Sequence, residues 1–282
     1  MSKKLNALYG LKFNPFTPDI PNEALLATPK IESFCFRVEQ NLLREGGFAM
    51  VTGDPGTGKS IGLRILTERL TRVPNVTVGV LSRPQAYLGD FYREMGEMFG
   101  VALSPHNRWA GTKALRERWL GHIETSLHRP VLVIDEAQEM RTVALSELRL
   151  LSSVQFDSKI LLSVVIAGDS RLLEKMKCEE LLPLSSRIRT RMALEFATPQ
   201  ELMESLKHVL AAAGNASLMT KDLMAALCDH AGGNFRVLMN MGAELLATAV
   251  ERELSQIDEK LFLDVFGGSR KGATPARAGR RA

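Results

Sequence analysis

The sequence predicts an α/β fold: a parallel sheet covered by helices, followed by a small all-helical domain. Two observations predict it. Short β-rich apolar runs alternate with helix-like segments from residue 46 to residue 197, and after residue 197 only helix-like segments follow. The chain is also long and apolar enough for one sizeable core plus a small second domain, with 282 residues of which 45% are apolar.

Residues 1–45 read as an N-terminal extension. Within it YGLKFNPF is expected to pack against the sheet module, the alternative being an embrace of a neighbouring subunit. NPFTPDIPNEALL is punctuated by prolines and reads as an ordered loop leading into a helix from about Pro29. Residues 46–197 form the α/β domain, with strands expected at GGFAMVTG (46–53), VTVGVLS (76–82), PVLVIDE (130–136), KILLSVVIAG (159–168) and RMALEFA (191–197). Between them, Ser82-Arg83-Pro84-Gln85 fits a helix capping box, and Leu115, Trp119, Ile123 and Leu127 recur every four residues as a core stripe. Residues 198–266 form the helical domain. It opens with a second capping box, Thr198-Pro199-Gln200-Glu201, and its methionines (Met203, Met219, Met224, Met239, Met241) read as adaptable packing.

The net charge is +4, yet residues 267–282 hold five Lys or Arg and no acid, which leaves residues 1–266 at −1. This Gly, Ala, Pro and Ser-rich tail cannot build a core and is expected to be disordered, serving either as a solubilising terminus or as a tether to nucleic-acid phosphates. Cys35, Cys178 and Cys228 are far apart and odd in number, which argues against a disulfide framework or a zinc site. No run approaches the eighteen or so apolar residues of a membrane span, and the start lacks the apolar region of a secretory signal, so no membrane contact and a cytoplasmic location are expected.

Chemistry concentrates at Gly53-Asp54-Pro55-Gly56-Thr57-Gly58-Lys59-Ser60, which matches GxxxxGK[ST] between an apolar strand and a helix. The glycines let successive backbone N–H groups turn toward phosphates, the helix N-terminus adds partial positive charge, and Lys59 reaches the β and γ phosphates. With Ile61 in the first helical turn these residues make the expected ATP-binding set. The partner half is VLVIDEAQ: Asp135 with Ser60 is expected to hold Mg2+, and Glu136 to polarise the hydrolytic water.

With these motifs the chain resembles the AAA+ ATPases, whose five-stranded P-loop module and helical lid close on ATP while a neighbouring subunit completes the site. The resemblance implies ATP hydrolysis and a homo-oligomer. It places Asp169 of AGDSRL at the sensor 1 position. An uncharged polar residue is more usual there, and a carboxylate near the γ phosphate would repel it. Either Asp169 orients water or Ser170 takes the role. LSSRIRTRMALEF puts Arg187, Arg189 and Arg191 at the junction of a helix and the last strand, where the family presents its arginine finger. Arg187 is the closer match, as LxxR at the helix end, and is expected to act in trans. GGNFRVLMNM resembles the sensor 2 signature and assigns Arg236 to the γ phosphate of its own subunit.

LYGLKFNPF (8–16) and DEAQ (135–138) also resemble the ExeA-like branch, which includes secretion-associated ATPases and the target-selecting ATPases of DNA transposons, of the TniB, TnsC and IstB kind. Three readings follow. The favoured one is an ATPase that assembles on DNA as a ring or filament, works with a target selector, and recruits or activates a transposase. Its DNA contacts are expected to be mostly to the backbone, through the tail and basic residues such as Lys113, Arg116 and Arg118. The second is a secretion-associated or protein-remodelling ATPase; those relatives carry a membrane segment and a wall-binding domain after the ATPase, and neither is read here. The third, a replication or repair loader, is expected to carry a winged-helix domain after the lid, which is not read either.

Overall fold

The computed structural model describes residues 2–81, 83–103, 107–156 and 158–267. The chain divides into two units: Ala27–Phe196, and the residues up to Leu26 together with those from Ala197 onward. Beyond Gly267 the basic tail lies outside the described residues.

From the N terminus, α1 (Ser2–Tyr9) belongs to the helical unit. The α/β unit begins with α2 (Pro29–Arg37), started as the sequence suggests by a proline in the first turn and by Thr28, whose hydroxyl accepts from Ile31 N–H. A wide turn over Val38–Leu42 and the short α3 (Leu43–Glu45) lead to Gly46, where φ is 77°. There follow β1 (Gly47–Gly53), α4 (Lys59–Arg72), β2 (Val78–Leu81), α5 (Leu88–Phe99), α6 (Arg108–Ser126) and β3 (Val131–Ile134). Then come α7 (Thr142–Leu151), β4 (Ser153–Val154), β5 (Lys159–Ile160), β6 (Ser163–Gly168), α8 (Ser170–Lys175), α9 (Leu182–Ser185) and β7 (Ile188–Leu194).

Five of these strands form a parallel sheet in the order β2-β3-β6-β1-β7. The three inner strands are buried almost throughout, because helices cover both faces. The outer β7 alternates instead: Ile188, Thr190 and Met192 point inward, while Arg189 and Arg191 are exposed. The predicted strand at 191–197 therefore starts three residues earlier and ends at Leu194, with two of the three arginines inside it.

Other expectations are corrected by local geometry. Helix α5 starts at Leu88 rather than at the Ser82–Gln85 motif, and its cap residue, Tyr87, makes no side-chain cap; Ser82 itself is outside the described residues. Leu115 and Trp119 are buried and Ile123 packs beside them, but Leu127 terminates α6 with φ 60° and is exposed. The run 159–168 is split: its first two residues pair with β4 in a hairpin, Leu161 N–H donates to Ser152 O at 2.7 Å, and β6 begins at Ser163.

The helical unit contains α10 (Pro199–Ala213), α11 (Lys221–Ala231), α12 (Phe235–Glu251) and α13 (Glu259–Phe266). The capping box at Thr198 is present: its hydroxyl accepts from Glu201 N–H and the Glu201 carboxylate accepts from Thr198 N–H at 2.8 Å. The stretch read as one extension, 1–45, is split between the units. Leu5, Tyr9, Leu11, Phe16 and Ile20 fill the core formed by Leu202, Leu206, Leu223, Leu238 and Leu245. Lys12 N–H donates to Ala213 O at 2.8 Å and the Asn215 amide to Tyr9 O at 3.0 Å, while the Phe16 ring lies where Gly242 lacks a side chain. YGLKFNPF thus packs against the helices after residue 197, because that core has room for its apolar side chains.

Candidate functional site

Strands β1, β6 and β3 are neighbours and parallel, so their C-terminal ends deliver three loops to one edge of the sheet. The loop after β1 carries Gly53–Ser60, that after β3 carries Asp135 and Glu136, and that after β6 carries Asp169.

The phosphate loop is shaped by its glycines. Gly56 (φ 88°) and Gly58 (φ 97°) take left-handed conformations that other residues rarely adopt, and a Cβ on Gly53 would meet Leu194 O and Thr57 Oγ1, each at 2.6 Å. Thr57 closes the turn, its hydroxyl donating to Asp54 O at 2.8 Å. Lys59 is 6% exposed; its ammonium donates to Gly53 O at 2.8 Å and Asp54 O at 3.1 Å. An ammonium has three hydrogens, so one remains for a phosphate oxygen.

Ser60 donates to Asp135 Oδ2 at 2.7 Å, and Asp135 Oδ1 accepts from Glu136 N–H at 2.9 Å. A hydroxyl and a carboxylate so close form the hard-oxygen donor set that Mg2+ takes, completed by substrate phosphates and water. Among the described residues no cluster of three or more His, Cys, Asp or Glu could hold a metal. Ser60 and Asp135 would hold the ion, whose charge would offset that of the phosphates.

Glu136 has φ 51°, a left-handed conformation that costs a residue with a Cβ about 1–2 kcal/mol and turns the chain sharply at the strand end. Its carboxylate accepts from the Gln138 amide. The same amide's oxygen accepts from Asp169 N–H at 3.3 Å. Lys175 then ties down the turn, donating to Gln138 O and Met140 O, both at 2.6 Å.

Asp169 caps α8, accepting from Arg171 N–H at 2.9 Å, and pairs with the Arg171 guanidinium at 2.9 Å. The hydrogen bond from Arg171, aided by charge from Arg171 and Lys59, holds its carboxyl below the usual range. Arg171 also pairs with Glu139 at 2.9 Å. The carboxylate expected at the sensor position is thus turned into a cap with its own counter-ion, while Ser170 is exposed at the start of α8.

Arg187 is half-buried between α9 and β7. Arg189 is exposed and pairs with Glu45 at 3.2 Å, and Arg191 donates to Ser185 O at 3.1 Å. Arg236 belongs to the helical unit, exposed in the first turn of α12, where Asn234 Oδ1 accepts from its N–H at 2.9 Å. Two residues proposed for DNA are engaged elsewhere. Arg116 donates to Leu150 O at 2.5 Å and Ser153 O at 3.0 Å, and Arg118 to Phe99 O at 3.2 Å, so they serve the carbonyl ends of α7 and α5. Lys113 lies 3.8 Å from Glu117 and 5.9 Å from the Trp109 ring centroid. Sequence reasoning quoted DEAQ yet gave Gln138 no role, and it overlooked Arg171; the motif's fourth letter was the available signal.

Fold and site define an α/β P-loop module of the AAA+ ATPase type. Residues 42–176 match the family model described as AAA domain. General secretion pathway protein A of Aeromonas hydrophila is 28% identical over 210 residues, covering 73% of this chain and 37% of that protein. The chain therefore spans little more than a third of that relative's length. Among solved structures, the fold matches Cdc6p from Pyrobaculum aerophilum with TM-score 0.71 and 15% identity, over 92% of this chain and 72% of that one. It matches the Aeropyrum pernix ORC2 protein with TM-score 0.73 and 15% identity, over 95% and 74%. The Aeropyrum pernix ORC1 protein in complex with DNA aligns with TM-score 0.64 and 19% identity, over 90% and 68%. Residues 42–176 thus resemble an AAA domain, and the fold is the one AAA+ ATPase modules share. Among the described residues no helix is long and apolar enough to cross a membrane.

Proposed function

We propose that the protein is an ATP-dependent regulator of DNA transposition. In its ATP state it oligomerises on DNA, selects the target with or without a selector protein, and recruits or activates a transposase; hydrolysis drives disassembly. The observation that carries the ATP half is the convergence of Lys59, the Ser60–Asp135 pair and Glu136 at one sheet edge. For the DNA half, support comes from the motif resemblance, from a fold shared with a structure solved in complex with DNA, and from the five cationic residues of the tail.

In the proposed reaction Lys59 and the loop N–H groups bind the β and γ phosphates. Glu136 takes a proton from water as its oxygen bonds to the γ phosphorus and the bond to the β-bridging oxygen breaks, releasing ADP and phosphate. Asp169 or Ser170 orients the water, and Arg236 senses the γ phosphate. Arg187 reaches the γ phosphate of a neighbouring copy, so ATP favours assembly and its loss removes that contact. DNA contacts are to phosphates.

The test is fluorescence anisotropy with a labelled random duplex, with and without a non-hydrolysable ATP analogue. Lys59→Ala is expected to lose nucleotide binding and assembly together, and Glu136→Gln to keep ATP and remain assembled on DNA. A Glu136→Gln protein that stays monomeric with ATP and DNA refutes the coupling. The 28% identity to general secretion pathway protein A favours a second reading, a secretion-associated or protein-remodelling ATPase. Absence of duplex binding at any salt, with or without the analogue, selects it.

A further inference from the structure

We propose that Gln138 is a positioning residue that sets the orientation of Glu136 and couples it to the loop after β6. The inference rests on Glu136 being the group that polarises water.

The Gln138 side chain is 6% exposed and bridges two partners of opposite hydrogen-bonding character. A carboxylate only accepts, and a backbone N–H only donates. The amide nitrogen therefore faces Glu136 Oε2 and the amide oxygen faces Asp169 N–H, with no ambiguity of flip. The amide supplies a donor and an acceptor on one planar group, and the shorter asparagine would not reach as far. Each end matters to the site. Glu136 sits in a left-handed turn on a freely rotating stem, so without a partner its carboxylate samples several rotamers. Asp169 begins α8, whose Lys175 returns to the Gln138 carbonyl, so the amide and the ammonium clamp the same turn from two sides.

The surroundings fix the amide as well. A Cβ on Gly168 would lie 2.5 Å from Gln138 Oε1, so the glycine makes room for the amide. A displacement of the β6 loop therefore passes through one rigid group to the carboxylate that activates water. A carboxylate has further lone pairs, so the bond to Gln138 orients Glu136 and leaves it able to accept from water.

The test uses the full chain with Gln138→Leu, which removes both bonds, and Gln138→Glu, which keeps the acceptor and replaces the donor by a like charge. The leucine variant is expected to lose roughly tenfold to a hundredfold in kcat, the usual scale for groups that orient a functional ligand. Its KM and its affinity for a non-hydrolysable analogue should stay within about twofold, because the phosphate loop is untouched. The glutamate variant should be equally slow, again with KM and analogue affinity unchanged, because it keeps the acceptor and loses the donor that orients Glu136. A structural role alone would not lower kcat while sparing nucleotide affinity. Should the leucine variant fail to fold, the glutamate variant carries the test alone.

Glu136→Gln separates the two levels. If it hydrolyses ATP normally, the assignment of Glu136 falls and the inference with it. If it is inactive while either Gln138 variant turns over at the parental rate, only the positioning role is overturned.

Discussion

Gly168→Ala perturbs the join between the β6 loop and the turn that bears Glu136. The added methyl would lie 2.5 Å from Gln138 Oε1, 2.8 Å from Leu172 Cδ2 and 2.9 Å from Leu172 Cβ, all closer than heavy atoms normally approach. Leu172 is fully buried and Gln138 is 6% exposed, so neither can swing into solvent. Overpacking of this kind costs about 1–3 kcal/mol, and breaking the Gln138–Asp169 bond adds about 1 kcal/mol, for a total near 2–4 kcal/mol. For a unit of this size each kcal/mol moves the melting temperature by about 2–4 °C, which gives a drop of roughly 5–15 °C. Differential scanning fluorimetry reads the stability and a coupled phosphate-release assay reads kcat, which should fall at least several-fold. Adding Gln138→Ala relieves the closest clash, so the double variant should regain part of the stability and none of the activity. A Gly168→Ala protein with parental melting and parental kcat would refute the packing and the coupling inferred from it.

The three arginines separate in turnover. Arg187→Ala should lower hydrolysis at protein concentrations where the parent assembles, by about 10³-fold if it is the finger, whereas Arg189→Ala breaks only an exposed pair and should leave kcat intact and stability within about 1 kcal/mol. Thr198→Ala removes a hydroxyl cap and should destabilise the helical unit by about 1 kcal/mol, read by urea denaturation. Asp169 has a folded-state pKa below its unfolded value, so its contribution to stability is present above the ordinary aspartate range and is lost as pH falls through and below about 4. Asp169→Asn should flatten the stability profile in that acid window; an unchanged slope would deny the Arg171 pairing.

The phosphate-loop geometry and the strands beside it were legible because they depend on sequence-local patterns. GDPGTGKS needs glycines at fixed places, and the apolar run before Asp135 announces a buried strand ending in acid; β1 and β3 formed where those patterns lie. The outer strand was misplaced because IRTRM alternates around charged residues, and only its position at the sheet edge makes Arg189 and Arg191 strand residues. The hairpin of β4 and β5 was hidden for another reason. Its turn puts Gln155 and Phe156 at positive φ, where glycine or asparagine is usual, so the sequence did not mark those two positions. Asp169 stood correctly on the loop after β6, but its pairing with Arg171 belongs to the geometry of a helix start. Arg116 and Arg118 illustrate the same limit, since nothing in a charged helical pattern distinguishes a side chain reaching a neighbouring carbonyl from one reaching a phosphate.

The first twenty-six residues complete a core whose remaining members begin at Ala197, so the α/β unit is, in connectivity, an insertion into the helical one. During synthesis Leu5, Tyr9 and Phe16 emerge long before Leu206 and Leu245, and the piece that starts first must wait for the piece that finishes last. Bringing them together closes a loop of some 170 residues, which costs much less if the sheet has already folded and drawn its ends together. The backbone crosses from one unit to the other twice, near residues 26 and 197.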